Sequence, residues 1–143
     1  MARTRRKRDG FTLVELLVVV VIISMLATLL APRVFKGLGQ AKADIARANM
    51  TVIEDSLMRF QYNCGRFPTD ADGGLAALLD APPDLEDKWA GPYCKRSHLI
   101  DPWDRPYLYF PEGQYNPGGF DLMSLGADGA EGGEGDDADI VND

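Results

Sequence analysis

The 143-residue chain is predicted to adopt an α+β fold: one long N-terminal helix packed on a small antiparallel β-sheet, with an acidic loop at the C-terminus. Three observations predict it. Residues Phe11–Ala31 form an unbroken apolar run of 21 residues with a single charge, Glu15. Apolar residues then recur near helical spacing as far as Phe60. Beyond Arg66 the pattern changes to short aromatic and aliphatic runs broken by Gly, Pro and Asp, which reads as strands and turns.

The first ten residues carry five cations (Arg3, Arg5, Arg6, Lys7 and Arg8) and one anion, Asp9. The other 133 residues hold ten Lys or Arg against twenty-one Asp or Glu. So acidic a body argues against nucleic acid as a partner, because phosphate binding needs a basic surface. The single histidine, His98, has no zinc or catalytic-triad signature around it, so no enzyme is expected.

A helix of about 20 apolar residues is what crosses ~30 Å of hydrocarbon. The basic cluster before it predicts a single pass with the N-terminus cytoplasmic and the head on the far side. An ordinary signal peptide has an apolar run of only about 7–15 residues. A plain membrane anchor leaves Glu15 unexplained, since a carboxylate in such a run is costly and points to function.

Pro32 is expected to kink or interrupt the helix. Ala41, Ile45, Ala48, Val52, Leu57 and Phe60 are expected to form its head-facing stripe, and Asn63–Gly65 its end. From Thr12 to Tyr62 such a helix would extend about 75 Å. A short helix is expected over Gly73–Leu79. Strands are expected over Tyr93–Ile100, Tyr107–Phe110 and Phe120–Ser124, with a turn at Asp101-Pro102-Trp103-Asp104.

The junction Gly10-Phe11-Thr12-Leu13-Val14-Glu15 resembles the class III leader junction of type IV pilins and pseudopilins. Further blocks narrow the resemblance. These are Asn63-Cys64-Gly65-Arg66-Phe67-Pro68-Thr69, Asp101-Pro102-Trp103-Asp104-Arg105-Pro106-Tyr107-Leu108-Tyr109 and Asp121-Leu122-Met123-Ser124-Leu125-Gly126-Ala127-Asp128-Gly129. They run in the order seen in the major pseudopilins of type II secretion, the general secretion pathway protein G family. The resemblance implies a type IV pilin-like fold. Its parts would be a leader over residues 1–10, a transmembrane and filament-core helix over 11–31, and an amphipathic helix with a periplasmic head over 32–143. It implies cleavage between Gly10 and Phe11 by a prepilin peptidase, N-methylation of Phe11, and a role for Glu15 in subunit assembly. It also implies a homo-oligomeric helical filament in the bacterial inner membrane and periplasm. Further implied partners are minor pseudopilins, an inner-membrane assembly platform and a secretion ATPase. The alternatives are a pilin-like subunit of another filament and a monomeric membrane-anchored calcium-binding protein.

Residues 124–140 interleave six carboxylates with glycines. Calcium takes six to eight oxygens on a flexible loop, and this composition supplies them; it equally suits a disordered acidic tail. The spacing is not that of an EF-hand, since Ala130 and Gly132 stand at the third and fifth positions from Asp128. The resemblance implies a calcium site here, with Asp128, Asp137 and Asp139 as side-chain ligands and the Leu125 carbonyl as a fourth donor. Asp136 is the alternative to Asp137. Cys64 and Cys94 stand where the family usually has other residues. In an oxidising compartment they are expected to pair, closing a loop of about thirty residues for ~3–4 kcal/mol.

Overall fold

A computed structural model describes residues 10–142, apart from the side chains of residues 32–36. The basic part of the expected leader, residues 1–9, lies outside the described residues. Helix α1 spans Leu13–Cys64. It starts at Thr12, whose carbonyl accepts from Leu16 N at 3.3 Å. It stops where Gly65 enters the left-handed region at φ 82° and donates to the Gln61 carbonyl at 2.8 Å. That end matches the stop signal expected at Asn63–Gly65.

Pro32 does not interrupt α1 as expected; the helix continues through it. A helical proline deletes one backbone hydrogen bond, here the one to the Thr28 carbonyl. Fifty-two residues of helix tolerate that single loss. The contacts divide α1 at Gly37, with an apolar unit before it and a head from Leu38 onward. Within the apolar unit, the large hydrophobic side chains from Leu13 to Leu30 are between 47% and 82% exposed. The hydroxyls in the middle of the span are satisfied locally, Ser24 donating to the Val20 carbonyl at 2.7 Å and Thr28 to the Ser24 carbonyl at 2.9 Å.

In the head, α1 buries Ala46, Met50, Ile53, Leu57, Phe60 and Cys64. Steps of three and four place these on one face. This corrects the expected stripe in phase. Leu57 and Phe60 are core, but Ile45 and Val52 remain 54% and 37% exposed, and Ala41 and Ala48 are exposed too. Two apolar stripes share this helix, and periodicity alone does not say which one faces the head.

Strands β1 (Leu108–Phe110), β2 (Asp121–Ser124) and β3 (Ile140–Val141) form an antiparallel sheet in that order. Tyr109 pairs with Leu122, and Ser124 with Ile140. The central strand β2 is buried along its whole length. Phe120 stacks edge-on against Phe67 at a centroid distance of 5.0 Å, which closes the core beneath the sheet.

The expected strand over Tyr93–Ile100 is absent; Arg96–Leu99 forms a 3-10 turn instead. The Tyr93 carbonyl is occupied by α1, accepting from Arg59 at 2.5 Å and from the Ser56 hydroxyl at 3.2 Å. Its N–H donates to the Leu78 carbonyl at 2.8 Å, so no ladder partner is left for it. The third strand is Ile140–Val141, from a segment that composition marks only as an acidic loop. Asp70–Asp72 and Gly74–Leu78 are 3-10 turns near the expected short helix.

Arg66 makes a forked ion pair with Asp72 and reaches Asp84 at 3.0 Å. The Asp72 side chain is 4% exposed. The Arg66 guanidinium, seconded by the Thr69 N–H and hydroxyl, holds its carboxyl well below the ordinary carboxylate range. A depressed folded-state value stabilises fully above about pH 4 and is lost as pH falls below that. Asp72→Ala is therefore expected to cost roughly 1.5–2 kcal/mol at neutral pH, and much less in strong acid. Urea unfolding of the detergent-solubilised chain, followed by Trp89 and Trp103 fluorescence, measures it. Equal losses at both pH values would refute the assignment.

Candidate functional site

Two regions hold the residues singled out in the sequence. The first is the start of α1. Gly10 is exposed and Phe11 is 79% exposed, so both residues of the expected cleavage junction lie at the surface of the chain. The Thr12 N–H and hydroxyl donate to Glu15 Oε2 at 2.8 and 2.9 Å, and Glu15 N–H donates to the Thr12 hydroxyl at 3.3 Å. This is a reciprocal capping box, with Thr12 as N-cap and Glu15 three residues on. The spacing Thr-x-x-Glu carries that signal, and the sequence reading above overlooks it. Glu15 thus has a local task within its own subunit.

The second region is the loop between β2 and β3. It doubles back on itself. Ala127 N–H donates to the Asp136 carbonyl at 2.9 Å, and Asp139 N–H to the Gly132 carbonyl at 3.2 Å. The limbs meet at Gly126, where a side chain would lie 2.7 Å from the carbonyl oxygens of both Asp137 and Ala138. Gly126 also has φ 61°, so glycine is required twice over.

The expected ligands are placed as follows. The Leu125 carbonyl accepts from Gly129 N–H at 3.1 Å. Asp128 is exposed, and its Oδ1 accepts from Ala130 N–H at 3.0 Å. Asp137 is exposed on the opposite limb. Asp139 Oδ2 accepts from Gly132 N–H at 2.8 Å, while Oδ1 is buried with no partner. Asp136 is turned away: its carboxylate fills the space that a side chain at Gly39 of α1 would need. Among the described residues, no three of His, Cys, Asp and Glu converge as a metal cluster. The orphaned Asp139 oxygen and an all-oxygen donor set nonetheless suit a hard cation, because a buried unpaired carboxylate oxygen calls for a partner.

The root of the loop is held by a network that motif reading found only as a turn. Buried Asp101 accepts from Trp103 N–H at 3.0 Å and from Arg105 N–H at 2.9 Å. Its other oxygen takes the Ser124 hydroxyl at 2.7 Å. Buried Asp121 likewise gathers the backbone N–H groups of Gln114, Tyr115 and Asn116. Burial raises its pKa, but these donors outweigh that and leave it lowered.

Cys64 and Cys94, expected to be bridged, are free thiols in this structure. The neighbour of the Cys64 thiol is the Tyr93 side chain, and burial pushes both thiols up.

An apolar helix that its own chain leaves uncovered, opened by a carboxylate and carrying an α+β head, defines a pilin-like filament subunit. Residues 33–143 match the family described as type II secretion system (T2SS), protein G, and residues 5–31 match the prokaryotic N-terminal methylation motif. The type II secretion system core protein G of Pseudomonas aeruginosa is 40% identical over 141 residues, covering 96% of each chain. That of Vibrio cholerae is 39% identical over 139 residues, covering 96% of this chain and 92% of the relative. The crystal structure of the major pseudopilin from the type 2 secretion system of enterohaemorrhagic Escherichia coli superposes with a TM-score of 0.56. It is 28% identical and covers 72% of this chain and 87% of that one. The chain belongs to the type II secretion system protein G family. It is a structural subunit of a pseudopilus and carries the N-terminal methylation motif, and among the described residues one apolar helix is long enough to span a membrane.

Proposed function

We propose that the subunit waits in the inner membrane with its head in the periplasm and is drawn into a short helical filament that drives folded proteins through the outer membrane. The observation that carries this reading is the apolar span of α1, whose large side chains its own chain leaves exposed along the whole span. Membrane lipid covers it before assembly and other copies cover it afterwards. The second apolar stripe, with Leu38, Ile45 and Val52 60%, 54% and 37% exposed, supports continued packing between copies beyond the membrane. The platform protein and ATPase would supply the work, and minor pseudopilins the tip. The subunit itself performs no catalysis.

We further propose that the β2–β3 loop binds calcium through the carboxylates of Asp128, Asp137 and Asp139 and the Leu125 carbonyl. The ion would supply oxygen-to-oxygen cross-linking of the two limbs.

Deleting the gene in its native cell should leave secreted proteins folded but trapped in the periplasm. Protease added to spheroplasts should remove the head and spare the apolar span that begins at Phe11. Continued export, or a protected head, would overturn the proposal.

A further inference from the structure

We propose that Arg105 is a positioning residue for the cation loop, clamping the backbone between two of its donors. This rests on the calcium reading above and adds a residue outside the loop. The Arg105 guanidinium donates to the carbonyls of Gly126 and Ala127. Those are the two residues lying between Leu125 and Asp128. The guanidinium also lies where a side chain at Gly129 would sit, so it braces both sides of Asp128.

The turn that presents Arg105 is itself tightly held. Asp101 N–H donates to the Arg105 carbonyl at 2.7 Å and Asp104 N–H to the Asp101 carbonyl at 3.0 Å, with Asp104 in the left-handed region at φ 63°. Asp101 then ties this turn to Ser124, the residue just before Leu125. Arg105 Nε is buried with no partner. An unsatisfied buried donor is unfavourable, so the side chain is held in place by its two carbonyl bonds rather than by its own solvation.

The sign of the effect separates positioning from charge. A guanidinium beside a cation site repels the cation, so removing its charge alone would tighten calcium binding. Losing a clamp outside the ligand set weakens binding, typically by about 10–100-fold. Calcium titration of the full chain in detergent micelles tests this with Arg105→Ala and Arg105→Lys. Lys keeps the charge but lacks the planar fork that holds two carbonyls.

Both variants are expected to bind calcium at least ~10-fold more weakly, with faster amide exchange at Ala127 and Gly129 in the calcium-free protein. If Arg105→Ala fails to fold, Arg105→Lys decides. Affinity that is unchanged or tighter overturns the proposal, as does a fall in melting temperature of equal size with and without calcium. If the unaltered chain binds no calcium, the calcium reading fails by itself. Amide exchange in calcium-free Arg105→Lys then tests the clamp alone, and unchanged exchange refutes it.

Discussion

Glu15→Gln is expected to abolish filament formation while leaving membrane insertion intact. Glutamine at the third helical position can still complete the capping box with Thr12, so the start of α1 is preserved within the subunit. What is lost is the charge. In a filament core the carboxylate would be surrounded by the apolar span of neighbouring copies, where it needs a cation. The amino group of Phe11 freed by cleavage of an adjacent subunit is the cation at hand. Removing one partner of such a buried pair costs about 3–5 kcal/mol, and the loss recurs at every junction. Immunoblots of sheared filaments and of carbonate-washed membranes read the two steps separately. Glu15→Ala should add a frayed helix start to the same assembly defect. Filaments of ordinary length from Glu15→Gln would show that the box, not the charge, is the function of Glu15.

Asp139→Asn is expected to remove the response to calcium without harming the calcium-free protein. Calcium at 100 times its dissociation constant should add ~2.7 kcal/mol to the unaltered chain. For a head of this size that corresponds to a rise of roughly 10–20 °C in melting temperature. Chelation should reverse it. Asp139 Oδ1 is buried without a partner, so the metal-free state already bears the cost of that oxygen. Asparagine keeps the shape and lowers that cost. The calcium-free variant should therefore melt at or slightly above the calcium-free parent, and calcium should no longer move it. Thermal melts in calcium and in chelator decide. A calcium shift that survives in Asp139→Asn removes Asp139 from the ligand set, and no shift in the parent removes the site.

Much of the architecture was legible from residues alone because its signals are local. A run of 21 mostly apolar residues with one acid needs no tertiary context to declare a span. The stop at Gly65 and the two runs that become β1 and β2 are similarly local. The strand expected at Tyr93–Ile100 failed because Arg59 and Ser56, more than thirty residues earlier, take the Tyr93 carbonyl. Strand β3 was missed because two residues carry no periodicity.

The loop divides the same way. Its acids and glycines are plain in the sequence. That Asp136 turns to Gly39 while Asp139 keeps a bare buried oxygen depends on how α1 and the sheet enclose the loop. The apolar span and the family were readable without any structure, since each is written in runs of neighbouring residue types. Tertiary structure decided which of two apolar stripes on α1 faces the head, and which oxygens at the loop go unpaired. Both depend on contacts between residues far apart in the chain, where burial and hydrogen-bond supply are settled only once the chain has closed on itself.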